Sequence, residues 1–265
     1  PAMIINERTF MPLRFIAENA GCKVDWNDSK KVVTLTYPDP SAITVTTNTS
    51  APVTDGNYIA ISAEGYHTVA LRKDGIVETW GYNSHGQLYV PEGLDSVKAI
   101  SAGLINTVAL REDGTVVAWG GNEDGQCDVP ADLMNVKSIS AGWYHTVALK
   151  EDGTVVVWGN NEVGQCNVPA DLINVKSISA GLGHTVLLKE DGTVVAWGLN
   201  DEGQCDVPAG LMNVESISAG GYHTAALKAD GTVVVWGNNE VGQCDVLEDL
   251  MNVKSISAGL IHTVA

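Results

Sequence analysis

The chain repeats itself at a fixed step. The stretch Asp152–Cys166, DGTVVVWGNNEVGQC, returns letter for letter as Asp230–Cys244. Trp80, Trp119, Trp158, Trp197 and Trp236 stand 39 residues apart. The Gly-Gln pair keeps the same step from Gly86 through Gly125, Gly164 and Gly203 to Gly242. A third column holds His67, Asn106, His145, His184, His223 and His262. No insertion breaks the register. Counted from Asn57, five units are complete and a sixth is partial. A strict period of this length means a stack or ring of one supersecondary unit, each copy too small to bury its own apolar face.

Within the unit opening at Val136, VKSISAG is a short β-type run. HTVALKE follows, then Asp-Gly, then TVVVWG. Asp-Gly between two β-prone runs signals a hairpin, because Gly accepts the positive φ that the turn needs. GQCNVP, ending at Pro169, reads as a fourth, weaker strand. No helical period is present in the units. Four short strands in a unit of this size predict a β-propeller blade. The expected fold class is therefore all-β, a propeller of four-stranded blades, five complete and a sixth partial. Val155, Val156, Val157 and Trp158 do not alternate with polar residues. A strand covered on both faces needs no alternation, and a blade lies between two others. The repetition is then a packing demand, since each blade presents the same surface to the next.

Residues 1–37 follow another pattern, that of a small α+β fragment. RTFMPLRFIAENAGC predicts a short helix from about Pro12 to Ala20, with Pro at its start and Gly21 at its end. KVDWNDSKKVVTLTY predicts a hairpin. Residues 38–56, rich in Pro, Ser and Thr, read as a linker to the propeller repeats at 57–265. AITVTT within them is the alternative, as a strand closing the ring. The chain opens on Pro1 and stops in mid-pattern at Ala265, as an internal piece of a longer protein would.

The formal net charge is −17. That balance argues against a nucleic-acid partner, whose affinity rests on Lys and Arg neutralising phosphates. No run of eighteen apolar residues exists to cross a membrane. No Gly-rich phosphate loop, no nucleophile beside a base and no complete calcium loop is present, so neither catalysis nor a cofactor is expected.

Strands in a blade run alternately up and down. The loop between the first and second strands therefore opens on the same face as the loop after the third, here named face one. The Asp-Gly turn and the VPADLMN link open on face two. Compared unit with unit, face two barely changes, with KDG, three copies of EDG, and ADG. Face one does change. The residues before the histidine column are Gly65-Tyr66, Leu104-Ile105, Trp143-Tyr144, Leu182-Gly183, Gly221-Tyr222 and Leu260-Ile261. The loop after the tryptophan reads GYNSHGQ in the first unit, adding Tyr82 and His85, and GGNEDGQ, GNNEVGQ or GLNDEGQ elsewhere. Constant packing with variety on one face marks a binding surface on a repeat scaffold. The candidate partner-binding residues are Tyr66, Tyr82, His85, Leu104, Ile105, Trp143, Tyr144, Leu182, Tyr222 and Ile261. Tyr and Trp lead because each buries a large area and keeps a polar handle.

The histidines, one per blade, read as structural caps of the second strand rather than a metal ring. Cys127, Cys166, Cys205 and Cys244 share a slot with Leu88, which marks it as apolar packing. Equivalent slots on neighbouring blades are too far apart for disulfides, so free thiols are expected.

AGxxHTxAL, DGTVxxWG and NxxGQ together resemble the regulator-of-chromosome-condensation repeat family, from Asn57 to Ala265. The resemblance implies a β-propeller, commonly seven-bladed, and hence a truncated ring or one with fewer blades. The short unit with GQxxVPA is most similar to the type II β-lactamase inhibitor proteins, whose aromatic contacts occupy the pre-histidine positions. That implies a protein partner, a class A β-lactamase among the candidates, with Trp143 and Tyr144 foremost. Leu104-Ile105, Leu182-Gly183 and Leu260-Ile261 depart from the aromatic pattern. Residues 4–36 resemble the copper amine oxidase N-terminal-like domain, a module of bacterial surface proteins. That segment has no His and a single Cys, Cys22, so no copper site is implied. The expected setting is extracellular or on the bacterial cell surface. The expected role is non-catalytic protein binding, with a cell-wall glycan as the other candidate ligand.

Overall fold

The computed structural model describes residues 58–247 and 249–265, together with four strands nearer the N-terminus. The chain divides into two compact units, Pro1–Gly56 and Asn57–Ala265. In the first, β1 (Ile4–Ile5) pairs antiparallel with β2 (Arg8–Thr9), and β3 (Lys23–Asn27) with β4 (Val32–Thr36). The β3–β4 pair is the hairpin expected from KVDWNDSKKVVTLTY, in the register Val24↔Leu35. The helix expected over Pro12–Ala20 and the linker or closing strand of 38–56 lie outside the described residues.

The second unit is the propeller, and each complete repeat folds as one antiparallel sheet. The first blade is β5 (Tyr58–Glu64), β6 (His67–Arg72) and β7 (Val77–Gly81). The second is β8 (Val97–Ala102), β9 (Asn106–Arg111) and β10 (Val116–Gly120). The third is β11 (Val136–Ala141), β12 (His145–Lys150) and β13 (Val155–Gly159). The fourth is β14 (Val175–Ala180), β15 (His184–Lys189) and β16 (Val194–Gly198). The fifth is β17 (Val214–Ala219), β18 (His223–Lys228) and β19 (Val233–Gly237), and the partial sixth is β20 (Ser257–Ala258) with β21 (Thr263–Val264). The Asp-Gly hairpins form as expected. Gly153 sits at φ 85°, and the Asp152 carboxylate accepts the Thr154 N–H at 2.9 Å. No described helix is long and apolar enough to cross a membrane.

Each complete blade has three strands where the sequence reading expected four. GQCNVP is a chain of tight turns, and the reason is where its hydrogen bonds go. Asn161 Oδ1 accepts the Cys166 N–H at 2.9 Å, Asn167 N–H donates to the Gly164 carbonyl at 3.0 Å, and Val168 N–H to the Cys166 carbonyl at 3.0 Å. With its polar groups satisfied locally, the segment has no ladder to offer a neighbouring strand.

The apolar core lies between blades rather than within them. Val69, Leu71 and Val77 of the first blade pack with Val97, Ala109 and Trp119 of the second. Leu110 of the second packs with Val136, Ala148 and Trp158 of the third. Val147 and Leu149 of the third meet Val175 and Leu187 of the fourth, and Leu188 meets Ala226 and Trp236 of the fifth. Alternation along the middle strand sends neighbouring side chains to opposite blade faces, which is why β12 is buried from His145 to Leu149.

Polar bonds repeat at every joint. The Trp158 indole N–H and the Thr146 hydroxyl both donate to the Gln126 carbonyl, at 3.0 and 2.9 Å. Ser101 Oγ accepts the Ala141 N–H at 2.9 Å. His145 Nε2 lies 3.0 Å from Thr185 Oγ1 of the next blade. Since the Thr185 hydroxyl donates to the Gln165 carbonyl at 3.1 Å, the histidine must be the donor at Nε2. The histidine column is thus a strut between blades, more than the strand cap that the sequence suggested.

Candidate binding face

Face one is defined by one bond made in every complete blade. The residue before the histidine column accepts the N–H of the residue that follows Trp-Gly. Tyr82 N–H donates to the Tyr66 carbonyl at 2.9 Å, and Gly121, Asn160 and Leu199 donate to Ile105, Tyr144 and Gly183 at 2.8 Å. Asn238 donates to Tyr222 at 2.9 Å. The two variable loops of each blade therefore lie side by side. On face two, Glu151 N–H donates to the Asn135 carbonyl at 2.8 Å, which sets the Asp-Gly turn beside the start of β11.

The pre-histidine loops are also chained from blade to blade. Trp143 N–H donates to the Gly181 carbonyl at 3.2 Å, Leu182 N–H to Gly220 at 3.3 Å, and Gly221 N–H to Gly259 at 3.0 Å. The glycine before each loop is dictated by this closeness. A Cβ on Gly142 would sit 2.6 Å from the Gly181 carbonyl and 2.9 Å from the His145 ring.

Tyr66 is 62% exposed, and Tyr82, His85 and Ile261 are exposed as well. Tyr66 and Tyr82 meet edge to face with ring centroids 5.7 Å apart, and Tyr82 and His85 lie 6.3 Å apart. Tyr222 is 37% exposed. Trp143 and Tyr144 are half-buried and meet edge to face at 6.4 Å, while Ile105 and Leu182 are half-buried. Leu104 differs from the rest. It is only 8% exposed, and its backbone fills the space where a Cβ on Gly65 would stand, 2.5 Å from the Leu104 carbonyl oxygen. Gly221 meets the Leu260 carbonyl in the same way, at 2.6 Å. The Leu-Ile loops thus follow the Gly-Tyr loops as their packing neighbours, a dependence that a column-by-column comparison of units does not reveal.

Glu64 was missed by the sequence reading. It stands in the column otherwise held by Gly103, Gly142, Gly181, Gly220 and Gly259. The first blade accommodates it by a different turn. β5 runs on to pair Glu64 with His67, and Gly65 takes φ 60°. Burial pushes the Glu64 carboxyl up to about 8, and its polar neighbour, the Trp143 side chain two blades away, pulls the other way. An acid in a column of glycines was the available signal.

The charges divide by face. Arg72, Arg111, Lys150, Lys189 and Lys228 end the middle strands on face two. Lys98, Lys137, Lys176 and, by register, Lys254 stand at the face-two end of the first strands, and Lys73 is in the first hairpin turn. From residue 58 on, no Lys or Arg stands on face one. All the ion pairs among the described residues belong to face two, as with Lys150–Asp152 at 3.3 Å and Lys228–Asp230 at 3.2 Å. Face one carries Glu123, Glu162, Asp201 and Glu240 in one slot of its outer loops.

No group of three or more His, Cys, Asp or Glu among the described residues could hold a metal. Cys127, Cys166, Cys205 and Cys244 are free and half-buried. Each thiol donates to a backbone carbonyl six residues earlier, as Cys166 does to Asn160 at 3.1 Å.

The model of the regulator of chromosome condensation (RCC1) repeat matches residues 58–87, 97–126, 136–165, 175–204 and 214–243, more than half of the chain. The chain belongs to the RCC1 repeat family. Residues 1–67 match the copper amine oxidase N-terminal domain, whose match runs into the first RCC1 repeat. No curated protein matches the chain. Among solved structures, Prp20p from Saccharomyces cerevisiae is similar at 18% identity and a TM-score of 0.57, over 80% of this chain and 83% of that one. Human WBSCR16 is similar at 20% identity and a TM-score of 0.63, over 78% and 71%. The ectodomain of the Arabidopsis thaliana receptor kinase ACR4 shares 25% identity at a TM-score of 0.58, over 72% and 70%. These likenesses support the β-propeller fold of the RCC1 repeats.

Proposed function

We propose that this RCC1-repeat propeller is a non-catalytic protein-binding module acting through face one, on a secreted or surface-displayed bacterial protein. The observation that carries the reading is the aromatic variety of the face-one loops, where Tyr66, Tyr82 and Tyr222 are exposed, against the nearly constant Asp-Gly turns of face two. Aromatic side chains of this kind supply much of the energy at protein interfaces. The loops that bear them are tied by backbone bonds, so little ordering is needed on binding. Prp20p, of the same fold, is described as binding Gsp1p and histones, and the ACR4 propeller is a receptor ectodomain. The extracellular setting is supported by the match of residues 1–67 to a module that the sequence reading associates with bacterial surfaces.

The test is a paired capture of extracellular protein on the chain and on its Trp143→Ala, Tyr144→Ala, Tyr222→Ala variant, read by mass spectrometry. A protein held by the first and lost by the second supports the reading. The same species held equally by both removes face one as the site. A second reading, inhibition of a class A β-lactamase, is favoured by the short unit shared with the type II inhibitors. Full residual activity across a panel of such enzymes removes it. Glycan-array signal that depends on Tyr66 and Tyr222 would move the assignment to a cell-wall carbohydrate.

A further inference from the structure

We propose that face one is built to receive a Lys- or Arg-rich protein segment, its cationic groups meeting the outer-loop carboxylates and its stems packing on Tyr66 and Tyr82. The inference rests on face one being the binding surface, and it goes further by fixing the partner's chemistry.

The first ground is the division of charge. From residue 58 on, every Lys and Arg is on face two, where several are paired with the Asp of their own hairpin turn. Face one has carboxylates and no cation of its own to neutralise them. The same sign therefore recurs in the outer loop of each blade from the second to the fifth. A one-signed surface of this kind steers a partner of opposite sign and repels its own sign.

The second ground is that the acidic slot has no internal duty. In the loop after Trp-Gly, Asn122, Asn161, Asn200 and Asn239 hold the turn, each accepting a cysteine N–H at 2.8 to 2.9 Å. The next residue is Glu123, Glu162, Asp201 or Glu240, exposed in every case. None of these four side chains makes a hydrogen bond or ion pair among the described residues, and the slot changes from Glu to Asp while keeping its charge. Packing explains the asparagines and leaves the acids unexplained.

The third ground is independent of charge. Tyr66 and Tyr82 form an exposed edge-to-face pair on the first blade, whose own outer loop lacks the acid and has Ser84 in its slot. Exposed aromatic faces attract ammonium and guanidinium groups.

Fluorescein-labelled octalysine and octaglutamate, added to the whole chain and followed by anisotropy at low and physiological salt, test this. Two variants carry the same change of charge. One is Glu123→Gln, Glu162→Gln, Glu240→Gln on face one. The other is Glu112→Gln, Glu151→Gln, Glu190→Gln on face two. All six positions are exposed, and equal melting temperatures verify that both variants fold. Octalysine should bind and octaglutamate should not. The face-one variant should lose at least tenfold in affinity and the face-two variant less than threefold. Equal losses would show that binding follows net charge, and octalysine binding no better than octaglutamate would remove the cationic partner; either result overturns the proposal. If it falls while the Trp143, Tyr144 and Tyr222 variant still loses a captured protein, the binding-face reading stands without it.

Discussion

The indole N–H of Trp158 donates to the backbone carbonyl of Gln126, 3.0 Å away in the preceding blade. The Gln126 side chain is at the same time turned inward, where its Oε1 accepts the Asp124 N–H at 3.0 Å. Glutamine therefore fixes its own turn with its side chain and ties the next blade with its carbonyl. Trp119, Trp197 and Trp236 repeat the bond to Gln87, Gln165 and Gln204 at 3.0 Å. Trp80 has no such acceptor among the described residues and is 46% exposed, against 8% for Trp158.

Trp158→Phe should therefore destabilise the propeller by about 1–3 kcal/mol, the sum of a lost hydrogen bond and lost packing. Trp80→Phe should cost less than about 0.5 kcal/mol, as surface changes do. Urea unfolding followed by circular dichroism compares them. Equal losses would show that the bond to the preceding carbonyl contributes nothing.

Asn106→His should stabilise the chain. Asn106 is fully buried, and neither its Oδ1 nor its Nδ2 has a partner. The residue is too short to reach Thr146, whose equivalents Thr185 and Thr224 are met by His145 and His184 at 3.0 and 3.1 Å. Restoring the strut removes an unpaired amide and adds a bond, for a gain of about 1–2 kcal/mol. A lower urea midpoint for the variant would contradict this account of the joint.

The four repeat thiols should resist modification in the folded chain. Burial pushes Cys127 and Cys205 up to about 12, with Asp128 and Asp206 adding to it, and pushes Cys166 up to about 11. Little thiolate, the reactive form, exists at pH 8. Ellman's reagent at that pH should leave Cys127, Cys166, Cys205 and Cys244 unreacted, as peptide mapping would show, until urea is added. Rapid labelling of any of them in the native chain would contradict it.

The blade and its hairpins were legible because a spacing of 39 residues and an Asp-Gly turn are local or periodic signals. So was the face carrying the variable loops, since alternating strand direction follows from counting strands. The fourth strand was misread because GQCNVP has extended-looking residues, while Asn161, five residues before Cys166, decides its conformation. The bond from His145 to Thr185 joins residues 40 apart and becomes visible only when blades are stacked. Leu104 looked like a surface residue because its column falls in the variable loops of face one. Its burial depends on Gly65 in the preceding blade. Glu64 is legible as the one acid in a column of glycines, but its burial follows from the altered turn at Gly65, which the repeat pattern does not encode.

The buried histidines should make the propeller acid-sensitive. Burial holds His67 and His145 down to about 4 and His184 down to about 3, the last with His145 and His223 as further causes. An unfolded histidine takes its proton near 6.5. Between 6.5 and 4 the unfolded chain binds protons that the folded chain refuses, so stability falls as pH falls, and above 6.5 this contribution is constant. The limiting slope is about 1.4 kcal/mol per pH unit for each such histidine. Glu64 acts in the opposite sense. Pushed up to about 8, its folded carboxyl keeps a proton that the unfolded chain loses near 4.5, and it lowers stability as pH rises between those values. The Glu64→Gln background removes that opposing slope. In it, unfolding free energies at pH 7.5, 6.0 and 5.0 should fall steadily toward acid. Adding His184→Asn, the residue that already serves at position 106, should lower stability at pH 7.5 and make the acid slope shallower by one histidine's share. An unchanged slope would mean that His184 is protonated in the folded chain and that the Nε2 strut to Thr224 does not depend on a neutral ring.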